Sequence, residues 1–161
     1  MTEPTAPTGP LLKPVVLVID EDRDFLADCV MPLIQAGYEV LTAIDSLEAQ
    51  YLCELYPRPI HLVMLDLPLE PYLCIDGMSP RQYGSKMIAL IRVMRPASHI
   101  LLTSPTPVWK VSRQRLGATL WQFPLLPRPC STNELLKKIQ AILLTGPEFP
   151  TPPAISMGRC A

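Results

Sequence analysis

The tightest constraint on this chain is a run of five apolar residues, VVLVI at 15–19, followed at once by three acids, Asp20, Glu21 and Asp22. Four of the five are β-branched, and no polar residue interrupts them. Such a run offers no face to water, so it belongs in a strand covered on both sides. Strands of that kind occur in parallel sheets with helices packed above and below. The apolar stretches at 60–65 and 99–102 read as further strands of the same sheet.

Longer amphipathic stretches lie between these runs. Residues 23–36 are predicted to form a helix capped by Asp22 and ended by Gly37, with Pro32 inside it removing one hydrogen bond and bending the axis. Residues 39–43 read as the second strand, and Ser46 as the cap of a helix to about residue 56, closed by Pro57 and Pro59. Residues 67–84, with Pro68, Pro71, Gly77 and Pro80, read as irregular. A helix over 85–94 follows, then the strand at 99–102, a short helix over 108–116 and a fifth strand within 120–126, made irregular or an edge by Pro124. Ser131 caps a last helix to 144. Strand and helix alternate five times, which predicts an α/β fold with a parallel sheet and helices on both faces.

The 161 residues suffice for one such domain. Prolines at 4, 7, 10 and 14, and at 147, 150, 152 and 153, mark residues 1–14 and 146–161 as extended tails and leave 15–145 as the folded unit. The net charge of −1 provides no basic excess for a nucleic-acid surface, and no apolar run reaches the roughly 18–20 residues of a membrane span. The five cysteines (29, 53, 74, 130 and 160) are odd in number and never spaced C-x-x-C, which reads as reduced thiols in a cytoplasmic protein.

In open parallel sheets, ligands bind at the carboxyl ends of the strands. Here those ends carry Asp20, Glu21 and Asp22 (first strand), Asp66 (third), Thr103 and Ser104 (fourth) and Arg128 near the fifth. A lone acid in such a place is adequately explained as a turn or helix cap; three acids after a buried strand, with a fourth beside them, are not. Clustered carboxylates suit a hard divalent ion such as Mg2+, which offsets their repulsion and can hold a phosphoryl oxygen. A hydroxyl such as Thr103 and a cation can serve the remaining oxygens, leaving Asp66 as a nucleophile. His61 and His99 fall at strand starts, the far edge from the acids, and read as packing residues; Trp109 and, taken alone, Trp121 read as core or rim aromatics.

As a set, these segments resemble the receiver domain of two-component response regulators. VLVIDED at 16–22 is similar to that family's first strand and acidic pair, and LVMLDL at 62–67 to the strand ending in the phosphoacceptor aspartate. LLTS at 101–104 is similar to the strand with the switch hydroxyl, GATLW at 117–121 to the segment with the switch aromatic, and RPCSTNELL at 128–136 to the Lys-Pro motif and last helix. The resemblance spans about residues 15–144. It implies a single flavodoxin-like (βα)5 doubly wound, five-stranded sheet. It also implies phosphoryl transfer from a histidine kinase or phosphotransfer protein to Asp66, with Mg2+ held by Asp20 or Glu21 and Asp66. Thr103 and Trp121 would then respond, altering the face made by the last two helices and the strand between them. On this reading the chain is a self-catalysed phosphoacceptor at most, not a turnover enzyme. It signals through a downstream protein partner, with no direct nucleic acid and no membrane, and a homodimer is compatible with it.

The family's lysine is missing. Counted forward from Gly117 its slot falls on Pro124, and counted back from the last helix it falls on Arg128. Arg128, a permanent cation with a planar fork, is taken in its place. That change, and the long 67–84 stretch with Glu70 and Asp76, bring in the alternative of a pseudo-receiver: the same fold used as a phosphorylation-independent interaction module. Two other classes fare worse. An aspartate-nucleophile phosphohydrolase wants a second acid two residues after Asp66, where Pro68 stands. A flavin-binding protein wants a phosphate loop after the first strand, where the three acids would repel the phosphate.

Overall fold

The structure is a computed structural model, and it describes residues 12–67, 80–105, 120 and 122–145. Five parallel strands form one sheet: β1 (Val15–Ile19), β2 (Glu39–Ala43), β3 (Leu62–Asp66), β4 (His99–Pro105) and β5 (Leu125–Arg128), in the order β2-β1-β3-β4-β5. The described helices are α1 (Arg23–Gln35), α2 (Ser46–Leu55), α3 (Pro80–Met94) and α4 (Thr132–Leu144). The short helix expected at 108–116, residues 1–11 of the first tail and all of the second tail lie outside the described residues.

The alternation of side chains along each strand divides the interior into two cores. Val15, Leu17 and Ile19 join Val63, Leu65, Ile100 and Leu102 under α2 and α3. Val16 and Val18 join Leu62, Met64, Leu101 and Leu126 under α1 and α4. Every residue of β1 and β3 is buried, as their unbroken apolar runs require.

Local chemistry sets the element ends. Asp22 accepts hydrogen bonds from Asp24 N (3.0 Å) and Phe25 N (3.1 Å), which starts α1. At its other end Gly37 N donates to Ile34 O and Tyr38 N to Leu33 O, with Gly37 at φ +97°, a left-handed stop that favours glycine. Pro32 lies within α1, which continues through it. Ser131 and Glu134 form a reciprocal cap at the start of α4.

Several expectations need correction. The cap of α2 is Asp45, whose side chain accepts from Glu48 N at 2.8 Å, while Glu48 Oε2 accepts from Ile44 N; Ser46 is the first helical residue. β3 starts later and includes Asp66. α3 begins at Pro80, so residues 80–84 are helical, not irregular; proline at a helix start lacks only an N–H that would be unpaired there. β5 begins at Leu125 and not near 120, and it tolerates Pro127 because it is an edge strand. Gly84 lets α3 approach closely: a Cβ there would stand 2.7 Å from Leu67 Cδ2 and 3.3 Å from Leu120 Cδ1.

A polar belt secures the amino edge of the sheet. Val15 N donates to His61 Nδ1 at 2.9 Å, and His61 N to Val15 O. Arg95 donates to the carbonyls of Cys53, Tyr56 and Arg58, binding the end of α2 to the end of α3. Glu39 accepts from both Tyr56 and Arg58. Both histidines thus lie away from the acids, as expected. Cys29, Cys53 and Cys130 are free thiols, and burial pushes Cys29 up to about 12, which makes it unreactive.

Two substitutions, one within α1 and one just beyond its end, should act in opposite directions. Gly37→Ala forces a side chain into the left-handed region and should cost about 1 kcal/mol. Pro32→Ala restores an N–H donor for Asp28 O and should gain stability, by up to about 3 kcal/mol. Urea midpoints of the two variants check both signs.

Candidate functional site

The strand period that sorts the cores also builds the site. Counting by two from Val18, Met64, Leu101 and Leu126, all in the α1/α4 core, gives Asp20, Asp66, Thr103 and Arg128. The four residues therefore stand on one face at the carboxyl edge. Asp66 and Thr103 are register partners across β3 and β4. Beyond the strand ends, Asp20 N donates to Ala43 O and Leu67 N to Thr103 O, both at 2.9 Å, so the backbone that carries both acids is pinned.

All of these side chains are withdrawn from solvent. Asp20 is 2 % exposed, Asp66 9 % and Thr103 1 %. Two neighbouring carboxylates in such surroundings repel each other and lack water, and Arg128 is what meets them. From the edge strand β5 its guanidinium reaches past β4, with Nη2 2.7 Å from Asp66 Oδ1 and Nη1 3.0 Å from Asp20 Oδ2. The ring of Phe25 lies 4.0 Å below the guanidinium carbon, a cation–π contact that fixes its plane. Phe25 is itself set by the Asp22 cap, so β1, β3, β5 and α1 all meet at one cation. The Arg128–Pro129 peptide is cis.

The contacts to the two acids differ. Arg128 Nη2 donates a hydrogen bond to Asp66 Oδ1. Asp20 Oδ1 accepts from Asp22 N at 2.8 Å. Among the described residues, Asp20 Oδ2, although within ion-pair distance of Nη1, receives no directed hydrogen bond, and Arg128 Nε is likewise buried without an acceptor. Burial pushes the Asp66 carboxyl up to about 7, helped by the Asp20 charge and opposed by Arg128. Burial also raises Asp20, opposed by the Asp22 N–H and Arg128.

Asp20 Oδ2 is an orphaned, buried acceptor, and with Asp66 it offers a pair of hard oxygens that fit one side of a divalent ion such as Mg2+. Glu21 is exposed at the rim, where its charge still raises both neighbours. Among the described residues no three His, Cys, Asp or Glu side chains gather as a ligand set. The remainder of a coordination sphere would have to come from water and carbonyl oxygens.

The structure thus brings Asp20, Asp66, Thr103 and Arg128 together and leaves Glu21 at the margin. Trp121, Trp109, Glu70 and Asp76 lie outside the described residues. Two features were missed from sequence. Phe25 has no role in the sequence reading; the signal that could have found it is its place three residues after a capping aspartate, which sets it over the strand ends. Arg128 was matched by counting, although strand parity from Leu126 gives its direction.

No family model and no curated relative matches the chain. Solved structures do. The chain is similar to adenylate cyclase from Rhodopirellula baltica, at 21 % identity over 83 % of this chain and 89 % of that one, with a TM-score of 0.62. It is similar to the chemotaxis protein CheY4 from Vibrio cholerae, at 22 % identity over 81 % of this chain and 99 % of that one, with a TM-score of 0.58. A response regulator from Thermotoga maritima aligns at 22 % identity over 83 % of this chain and all (100 %) of that one, with a TM-score of 0.57. At such identities the likeness shows the fold, a CheY-like flavodoxin fold. No described helix is long and apolar enough to cross a membrane.

An unfolded aspartate titrates near about 3.9. In the folded chain the carboxyl holds its proton up to about 7. Its stabilising contribution is thus complete below about pH 4 and is lost as pH rises through about 7. Asp66→Asn has no such loss, so its melting temperature should climb relative to the wild type between about pH 5 and about pH 8. A pH-independent difference would show that Asp66 is not held in its protonated form.

Proposed function

We propose that this chain is a receiver-type signalling module in which Asp66 accepts a phosphoryl group and a protein partner reads the result. The observation that carries the reading is a buried aspartate at the end of β3, with a buried hydroxyl directly opposite it and a cation 2.7 Å away. Phosphoryl transfer to a carboxylate needs such parts: a nucleophile, donors for the phosphoryl oxygens, and neutralisation of the accumulating charge. The CheY-like fold supports it in turn.

In the proposed step an Asp66 carboxylate oxygen forms a bond to phosphorus. The bond from phosphorus to the donor nitrogen of a histidine kinase or phosphotransfer protein breaks, and its electron pair returns to that imidazole. Arg128 turns its Nη donors from the carboxylate to the phosphoryl oxygens, and the Thr103 hydroxyl donates to another. Bound Mg2+ would supply charge neutralisation beside Asp20 and Asp66. Arg128 is already poised for its part, since a planar fork suits a phosphoryl group as it suits a carboxylate. The chain is then a stoichiometric acceptor, not a turnover enzyme. The cytoplasm is the compartment this reading implies, in keeping with the free thiols of Cys29, Cys53 and Cys130.

One observation favours a second reading. The guanidinium already joins both carboxylates, so the pocket is charge-compensated without any ligand. A module locked in that state would be a pseudo-receiver, binding its partner whether or not a kinase is present.

Intact-mass spectrometry after incubation with acetyl phosphate and Mg2+ separates the two. A single added phosphoryl group, absent in Asp66→Asn, is expected. Its rate should rise as pH passes about 7, because only the ionised carboxyl attacks. No adduct at any pH would leave the pseudo-receiver.

A further inference from the structure

The pocket already contains a cation that belongs to the chain. The Arg128 guanidinium spans Asp20 and Asp66, at 3.0 and 2.7 Å, and its side chain is only 12 % exposed. The Phe25 ring closes it from one side at 4.0 Å. A divalent ion held by the same two carboxylates would compete with the guanidinium for their negative charge. The unsatisfied Asp20 Oδ2 and Arg128 Nε show that this side chain is held by charge and by the ring more than by a complete hydrogen-bond set, so it can be displaced.

We propose that Arg128 is a resident counter-cation that competes with divalent ions for Asp20 and Asp66, so that metal enters only as the guanidinium withdraws. The competitor cannot be titrated away, because arginine stays charged at any working pH. It also cannot diffuse off, so it acts at a fixed and high local concentration. Mg2+ affinity in this chain is therefore set by the strength of the Arg128 bridge as well as by the acids. Phe25, whose ring lies 4.0 Å from the guanidinium carbon, is a positioning residue for it. The proposal takes its signalling meaning from the phosphoacceptor reading, but the competition itself needs no phosphoryl group.

The test is calorimetric titration of the purified full chain with Mg2+ and with Mn2+, without any phosphodonor. The ions are expected to bind Arg128→Gln about tenfold or more tightly than the wild type. That gain should vanish when Asp20→Asn is added to Arg128→Gln. Phe25→Leu, which keeps every charge and loosens only the guanidinium, should give a smaller gain in the same direction. Equal affinity in the wild type and Arg128→Gln, or tighter binding by the wild type, overturns the proposal. So does a gain that survives Asp20→Asn. If Arg128→Gln does not fold, Phe25→Leu decides, and no gain there overturns it. Because acetyl phosphate labelling is a separate measurement, failure of the competition and failure of the phosphoacceptor reading are told apart.

Discussion

The pairing of one guanidinium with two buried carboxylates governs this end of the molecule. Asp20 and Asp66 end two strands that are adjacent in the sheet, on the same face, out of reach of bulk water. Leaving two such charges uncompensated would be costly, and their raised proton affinities express that cost. Arg128 offsets part of it from a strand two places away from Asp66 in the sheet order. The offset is incomplete: burial and the Asp20 charge still leave the Asp66 carboxyl raised to about 7.

The rest of the fold positions that triad. β1 and β3 are buried along their whole length, which leaves their ends no freedom to splay. At the opposite edge, Arg95 and the His61–Val15 exchange hold the strand starts and the helix ends together. Gly84 brings α3 against Leu67, the residue that follows Asp66, so the α2/α3 layer supports the site from the far face. The sheet is thus anchored at its amino edge and holds the candidate site at its carboxyl edge, the usual division in parallel α/β folds.

Much of this was legible in the sequence, for identifiable reasons. The strands β1, β2 and β3 announce themselves because buried parallel strands cannot alternate with polar residues or, at the partly covered β2, because β-branched residues cluster between turn signals. Asp22, Ser131 and Gly37 mark helix ends through capping chemistry that is local by nature. Misplacements came where two local signals competed. Asp45 and Ser46 are both good caps, and the Glu48–Ile44 return bond selects Asp45. Pro80 can end a loop or open a helix, and the α3 face that packs against Leu67 and Leu120 selects the helix. β5 was displaced because its apolar content is shared with the preceding turn and its identity depends on pairing with β4. At the site, the acids and Thr103 could be singled out as a set from their place at the carboxyl ends of the predicted strands. The double role of Arg128 was not, because nothing in a local stretch reveals a contact spanning 62 residues of sequence.

The most direct test of the Arg128 bridge is a pair of double-mutant cycles, Arg128→Gln with Asp20→Asn and Arg128→Gln with Asp66→Asn, read by urea unfolding at about pH 8, where Asp66 is largely ionised. A shared guanidinium should couple to each acid by about 1–3 kcal/mol. Coupling to Asp66 alone, with Asp20 additive, would mean that Arg128 serves one carboxylate and that the joint site does not exist.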